Sequence, residues 1–89
     1  MDQNRWNDFS KREQLLTIGA EFMRANVWQQ KSRQNFSLAL ERALELIDLT
    51  ISDEKWKDNL SMLFVLRGIV AEFYIFKRQE DISFLYNAL

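Results

Sequence analysis

The stretch Leu60–Phe76 (LSMLFVLRGIVAEFYIF) constrains the fold more than any other part of the chain. Placed on a helix at about 100° per residue, it is apolar almost all round, and such a helix is buried in a core or in a membrane. A membrane span needs about 20 predominantly apolar residues, whereas this run is shorter and carries Arg67 and Glu72. We therefore expect a central helix surrounded by other helices, and no membrane association.

This predicted helix has two apolar sides that point in nearly opposite directions. One side is formed by Met62, Leu66, Ile69, Val70 and Phe73, and the other by Leu60, Phe64, Ala71 and Ile75. Two companion helices of one short chain have difficulty covering both sides, and a large exposed apolar patch usually marks an interaction site. The pattern predicts a two-fold homodimer that buries the second side. A dedicated protein partner and a C-terminal segment folded back over the helix are the alternatives.

Composition favours long helices in one domain that covers residues 1–89. The chain is 47% hydrophobic, has no proline, and contains only the glycines Gly19 and Gly68, so the usual punctuation of strands and turns is missing. A chain of 89 residues forms a single core of marginal size. We expect an all-α antiparallel bundle of three long helices plus a short C-terminal helix, completed by dimerisation.

Capping residues set the expected limits of these helices. Ser10 and Glu13 fit a capping box that starts the first helix, which then runs to about Trp28. Ser32 can cap the second helix, and the hydroxyl and carboxylate groups of Thr50–Asp53 favour a turn after it. The predicted ranges are Arg33–Leu49 for the second helix, Asp53–Lys77 for the third, and Ile82–Leu89 for a last helix capped by Asp81.

Helical spacing also predicts which faces of the first two helices are inward. The first helix is expected to bury Leu15, Leu16, Gly19, Ala20, Phe22, Met23 and Val27, with Glu21 on the opposite side. The second is expected to bury Phe36, Ala39, Leu40, Ala43, Leu44, Ile47 and Ile51. Leu38 and Leu49 fall outside that face, among charged residues, and we interpret them as a second candidate contact patch.

Arg67 and Glu72 are the candidate buried charges of the third helix. They are five residues apart and lie about 140° from each other around the helix, so they cannot pair along it. Each must find a partner on another helix or subunit, or reach water at an edge. Pairing or edge exposure is the preferred interpretation over a polar active-site pocket.

The sequence does not point to catalysis, a metal or a cofactor. Without Cys or His it lacks the usual nucleophile, general base and soft metal ligands, and Glu41, Glu45 and Asp48 form an ordinary carboxylate face. The net charge of −1 shows no basic field for nucleic acid, and Trp28, Lys31 and Arg33 make only a small basic and aromatic corner.

We therefore expect a non-catalytic helical interaction or scaffold module that self-associates. The residues expected at its contact surface are Leu60, Phe64, Ala71 and Ile75, with Leu38 and Leu49 as the second patch. A binder of an apolar small molecule in an inter-helix pocket, and a small nucleic-acid or protein adaptor, are the alternative functions. The polar N-terminal segment Met1–Ser10 has no signal-peptide core, which favours a cytoplasmic location.

Overall fold

The computed structural model describes every residue from Met1 to Leu89, and its only regular elements are helices. The α-helices are α1 (Gln3–Asn7), α2 (Lys11–Trp28), α3 (Arg33–Ile51), α4 (Leu60–Tyr74) and α5 (Ser83–Ala88), and a 3₁₀ helix spans Glu54–Asn59. The predicted all-α class with three long helices packed together is confirmed.

The two predicted serine caps form as expected. Ser10 Oγ accepts the Glu13 N–H at 3.1 Å, and Glu13 Oε1 accepts the Ser10 N–H at 2.9 Å, which completes a capping box at the start of α2. These bonds to Ser10 lower the pKa of Glu13. Ser32 Oγ accepts the Asn35 N–H at 3.2 Å and starts α3.

The helix at the centre of the bundle is α3, so the expectation that the third long helix is surrounded by the others is wrong. α3 packs against both α2 and α4, and also contacts α1 and the 3₁₀ helix. Its small residues Ala39 and Ala43 are buried and let both neighbours approach. The α4 sequence is apolar on both sides, so its pattern alone cannot show that only one side packs inward. The buried residues of α4 are Leu63, Leu66, Val70 and Phe73.

α4 is shorter than predicted at both ends. At its N-terminal end, Asp53 caps the 3₁₀ helix by accepting the Lys55 N–H at 3.1 Å, and the α-helix begins only at Leu60. At the other end, Phe76 has a positive φ of 62°, a left-handed conformation that favours glycine. The Lys77 N–H donates to the Glu72 carbonyl at 2.9 Å, the bond that ends a helix in a Schellman motif.

α2 is rotated about its axis relative to the prediction. Its buried residues recur at helical spacing and are Gln14, Ile18, Gly19, Glu21, Phe22 and Ala25. Of the residues expected inside, only Gly19 and Phe22 are among them. The side chains of Leu16, Ala20, Met23 and Val27 face solvent instead, with Leu16 61% exposed. The residues predicted as the inner face of α2 therefore form largely an outer apolar stripe.

A buried hydrogen-bond network around Gln14 accounts for this rotation. Gln14 is fully buried, and its Nε2 donates to the Trp6 carbonyl and to Asp53 Oδ2, both at 2.9 Å. The indole N–H of Trp56 donates to Gln14 Oε1 at 2.6 Å. With Gln14 turned outward, the buried Trp56 indole N–H and Asp53 carboxylate would each lose this hydrogen-bond partner, so the network favours Gln14 inside.

The same network joins the N-terminal helix to the end of α3. The indole N–H of Trp6 donates to Thr50 Oγ1 at 3.0 Å, and that hydroxyl donates to the Leu46 carbonyl at 2.7 Å. Lys55 Nζ donates to the Asn7 carbonyl at 2.8 Å. α1, α2, α3 and the 3₁₀ helix are thus fixed together by polar contacts as well as by apolar packing.

Replacing Gln14 with leucine tests the network at nearly constant volume. Gln14→Leu leaves the Trp56 indole N–H and the Asp53 carboxylate without that partner inside the core, so we expect unfolding free energy to fall by about 2–4 kcal/mol. Chemical denaturation measures the free energy of unfolding. Gln34→Leu, at an exposed position in the first turn of α3, is the matched control and should change stability by less than about 0.5 kcal/mol. A Gln14→Leu protein as stable as wild type would contradict the account.

The lowered pKa of Asp53 predicts that the protein loses stability in acid. Burial alone would raise the pKa of Asp53, but hydrogen bonds from Lys55 and Gln14 outweigh burial, and the pKa lies below its ordinary value of 3.8. Because the folded pKa is the lower one, the stabilisation is present above pH 3.8 and is lost as pH falls through the folded pKa.

Denaturation curves between neutral pH and about pH 3 should therefore show wild type losing more stability than Asp53→Asn. The variant should be the less stable protein at neutral pH, because it loses the Lys55 ion pair. Identical acid slopes for the two proteins would contradict the assignment.

Candidate functional site

The outer face of α4 is the surface that the sequence marked as a contact site. Here the outer face means the side chains directed away from α3, with the half-buried Leu60 and Ala71 at one edge. Three large apolar side chains dominate it: Phe64 is 56% exposed, Val65 63% and Ile75 56%. Ser61 and Gly68 lie exposed between them.

The C-terminal segment folds back, but not over the outer face of α4. α5 packs against α2, with Ile82 and Leu85 buried in the core. Gln29 fixes this position, because its Nε2 donates to the Glu80 carbonyl at 2.8 Å and its Oε1 accepts the Ile82 N–H at 2.9 Å. The alternative in which the tail covers the second apolar side of α4 is therefore wrong.

The two glycines have different surroundings. A Cβ atom at Gly68 would meet no other atom within 4 Å, so the backbone of α4 is open to solvent there. A Cβ at Gly19 would lie 3.3 Å from Leu89 Cδ1 and 3.5 Å from the Tyr86 ring. α5 thus already fills the space beside Gly19, whereas no part of the chain approaches Gly68.

Arg67 and Glu72, the candidate buried charges, are half-buried, and each is paired and partly exposed, as the preferred interpretation of the sequence expected. The Arg67 side chain is 43% exposed and its Nε donates to Asp48 Oδ1 on α3 at 2.5 Å. Glu72 is 46% exposed and its Oε1 accepts from Arg78 Nε at 2.9 Å. Arg67 lies at an edge of the packed side of α4, and Glu72 lies one turn beyond Gly68 on the outer face. Each has both a partner and water, so neither forms a buried polar site.

Leu38 and Leu49 do not form one patch. Leu38 is 48% exposed and lines a notch between α2 and α3 beside Trp28 and Arg24. Leu49 is half-buried and packs against the core, near α1, where Gln3 Nε2 donates to the Leu49 carbonyl at 2.8 Å. Leu49 is half-buried because α1 covers that end of α3. The sequence analysis did not predict α1 as a separate helix.

A second apolar surface, which the sequence analysis missed, lies on α2 and α5. The outer stripe of α2 consists of Leu16, Ala20, Met23 and Val27. Beside it is an open cleft of about 610 Å³, lined by Arg12, Leu15, Leu16, Gly19, Tyr86, Asn87 and Leu89. This surface is exposed because Gln14 and Glu21 face the core in place of the apolar residues of α2. A sequence pattern assigns such polar residues to the surface, so it could not have predicted this surface.

The basic and aromatic corner near the end of α2 is divided between separate contacts. The Arg33 guanidinium carbon lies 3.9 Å from the centre of the Phe76 ring. Trp28 lies in the notch between α2 and α3, together with Glu21 and Arg24. These two groups therefore do not present one common stacking surface.

The structure brings no chemistry-bearing cluster together. No group of three or more His, Cys, Asp or Glu side chains is placed to hold a metal ion. None of the helices combines the length and the apolar character that a bilayer span requires. Comparison with protein-family models, curated proteins and solved structures finds no match for this chain. The two apolar surfaces are therefore the features from which a function can be argued.

Proposed function

We propose that this protein is a non-catalytic helical interaction module that self-associates through the outer face of α4. The observation that carries the proposal is the uncovered row of Phe64, Val65 and Ile75 on a helix whose other side is already packed. An apolar patch of this kind on a small domain usually marks a contact site. Both charges of α4 support it, since they are already paired within the chain and need no partner from outside.

The size of the face indicates a dimer that dissociates on dilution. Fully burying a Phe, Val or Ile side chain contributes about 1.5–3 kcal/mol, so completing the burial of these three half-exposed residues in two copies contributes on the order of 5–9 kcal/mol. Association costs roughly 4–15 kcal/mol in lost freedom of motion. Because the two quantities are similar, we expect a concentration-dependent equilibrium rather than a permanent dimer.

Phe64→Glu should abolish self-association without unfolding the protein. Phe64 is more than half exposed in the single chain, so the fold tolerates a charge there, whereas two buried glutamates would oppose contact. Light scattering behind size exclusion, over a wide concentration range, measures the mass. Met23→Glu is the matched control, since Met23 is 52% exposed on the rival surface of α2.

We expect wild type and Met23→Glu to change from monomer to dimer as concentration rises, and Phe64→Glu to remain a folded monomer. Wild type that is monomeric at every concentration would contradict self-association. Dimerisation lost in Met23→Glu and kept in Phe64→Glu would transfer the contact to α2.

A second candidate function is the binding of an amphipathic carboxylic acid in the cleft between α2 and α5. Its volume of about 610 Å³ lies within the usual range of ligand sites, roughly 300–1,000 Å³. Leu15, Leu16 and Tyr86 supply apolar walls, and Arg12 supplies an exposed cation at the edge that is in no ion pair. This combination suits an acyl chain or aromatic ring that ends in a carboxylate.

Decanoate, kept below its micelle concentration, should raise the melting temperature of the wild-type protein if this second function is correct. Decanol is the neutral comparison and should act more weakly, because it cannot pair with Arg12. Leu16→Glu places a negative charge in the apolar wall and should remove the shift. An unchanged melting temperature with both compounds would exclude the cleft as a ligand site of this class.

A further inference from the structure

The geometry points to a specific arrangement of the self-association proposed above, on which this inference rests. We infer that the occupant of the outer face of α4 is the same face of a second copy, with the two α4 helices antiparallel and the two-fold axis beside Gly68. Four features of α4 support this arrangement: the spacing of its outward-facing residues, their alternation in size, the open backbone at Gly68, and the positions of the charges.

Along α4 and its C-cap residue Ile75, four exposed residues and the half-buried Ala71 form a seam with the spacing of a helix–helix contact. We define the seam as Ser61, Phe64, Gly68, Ala71 and Ile75, which follow one another at intervals of three, four, three and four residues. This alternation is the a and d pattern by which one helix packs along another. A stripe with this spacing along a helix fits a partner helix.

Residue size along the seam favours an antiparallel partner. Gly68 is the middle residue, with small Ser61 seven residues before it and large Ile75 seven residues after it. Crossing two copies at Gly68 places Ile75 opposite Ser61 of the partner subunit and Phe64 near Ala71 of the partner subunit. A parallel pair would instead place the large side chains against each other and leave a void at the glycines, which forfeits packing contacts.

Gly68 is the point at which the backbones can approach. No side chain of the monomer occupies the space beside it, although glycine lowers the stability of a helix relative to alanine. Small residues at a crossing point allow close contact between helices. Gly19 is no counterpart on the rival surface, since Leu89 and Tyr86 already fill the space beside it.

The charges on either side of the seam are compatible with this arrangement. Glu72 lies four residues beyond Gly68, so the two copies of Glu72 are separated by about 12 Å along the antiparallel pair, at about 1.5 Å per residue. A parallel pair would place them at the same level. On the other edge, Arg67 lies one residue before Gly68, so the two copies of Arg67 are separated by only about 3 Å along the pair. Each Arg67 is already paired with Asp48 of its own chain, and that carboxylate offsets the repulsion between the two cations.

Single cysteines provide the test, because the natural chain has none. Gly68→Cys should form a disulfide-linked dimer on mild oxidation, since the two-fold axis brings the two copies of this position together. Its side chain weakens the non-covalent contact, as that of alanine does, but the disulfide traps the dimers that form. Ser61→Cys and Ile75→Cys proteins, treated separately with a short bis-maleimide, should not cross-link, whereas a mixture of the two should. Ala20→Cys, exposed on α2, is the control that should stay monomeric throughout.

The outcomes separate this arrangement from self-association in general. Cross-linking of Ser61→Cys with itself would show a parallel pair and overturn the inference, while self-association would stand. Cross-linking through Ala20→Cys with none at Gly68→Cys would likewise overturn it and place the contact on α2. A wild-type chain that is monomeric in solution would overturn both the inference and the proposed function.

Gly68→Ala gives an independent readout. A methyl group in the open space beside Gly68 should leave the monomer at least as stable, because alanine favours the helix. It should weaken dimerisation on the order of tenfold, the effect of about 1.4 kcal/mol, because the backbones can no longer approach as closely. Analytical ultracentrifugation measures the dissociation constant. An unchanged or lower dissociation constant would overturn the crossing at Gly68.

Discussion

The buried amide of Gln14 is the interaction on which the arrangement of the other helices depends. It accepts the Trp56 indole N–H and donates to the Trp6 carbonyl and to Asp53, so three separate segments meet at one side chain. Most buried polar groups in proteins are hydrogen-bonded, and the bonds to Gln14 hold these three segments together. Apolar packing alone would allow α2 to rotate, because large apolar side chains lie on more than one of its sides.

The rotation of α2 has consequences for the surface. With Gln14 inward, Leu16 and Met23 lie on the opposite side of the helix, and α5 packs beside them rather than over α4. α3 then occupies the centre and α4 is left on the flank, with one packed side and one uncovered side. The apolar face that we propose for self-association is the side of α4 that this arrangement of the helices leaves uncovered.

Local signals predicted the parts of the fold that depend on neighbouring residues. The capping box of Ser10 and Glu13 and the cap at Ser32 fixed where α2 and α3 begin, because such bonds join residues three apart in sequence. Long-range choices could not be predicted. The pattern of α4 separated its two apolar sides but did not show that only one of them would be covered, and Phe76 ends the helix in a conformation that the sequence would assign to glycine. Of the residues chosen as contacts on α4, Phe64 and Ile75 are exposed, whereas Leu60 and Ala71 are half-buried. Arg67 and Glu72 are paired and partly exposed, as expected.

Amide resonances recorded by nuclear magnetic resonance during serial dilution locate the contact between copies without any substitution. If the copies meet through the outer face of α4, concentration-dependent shifts should concentrate at Phe64, Val65, Gly68 and Ile75, while the amides of Leu16, Met23 and Val27 stay constant. Shifts confined to α2, or a spectrum that does not change with concentration, would contradict it.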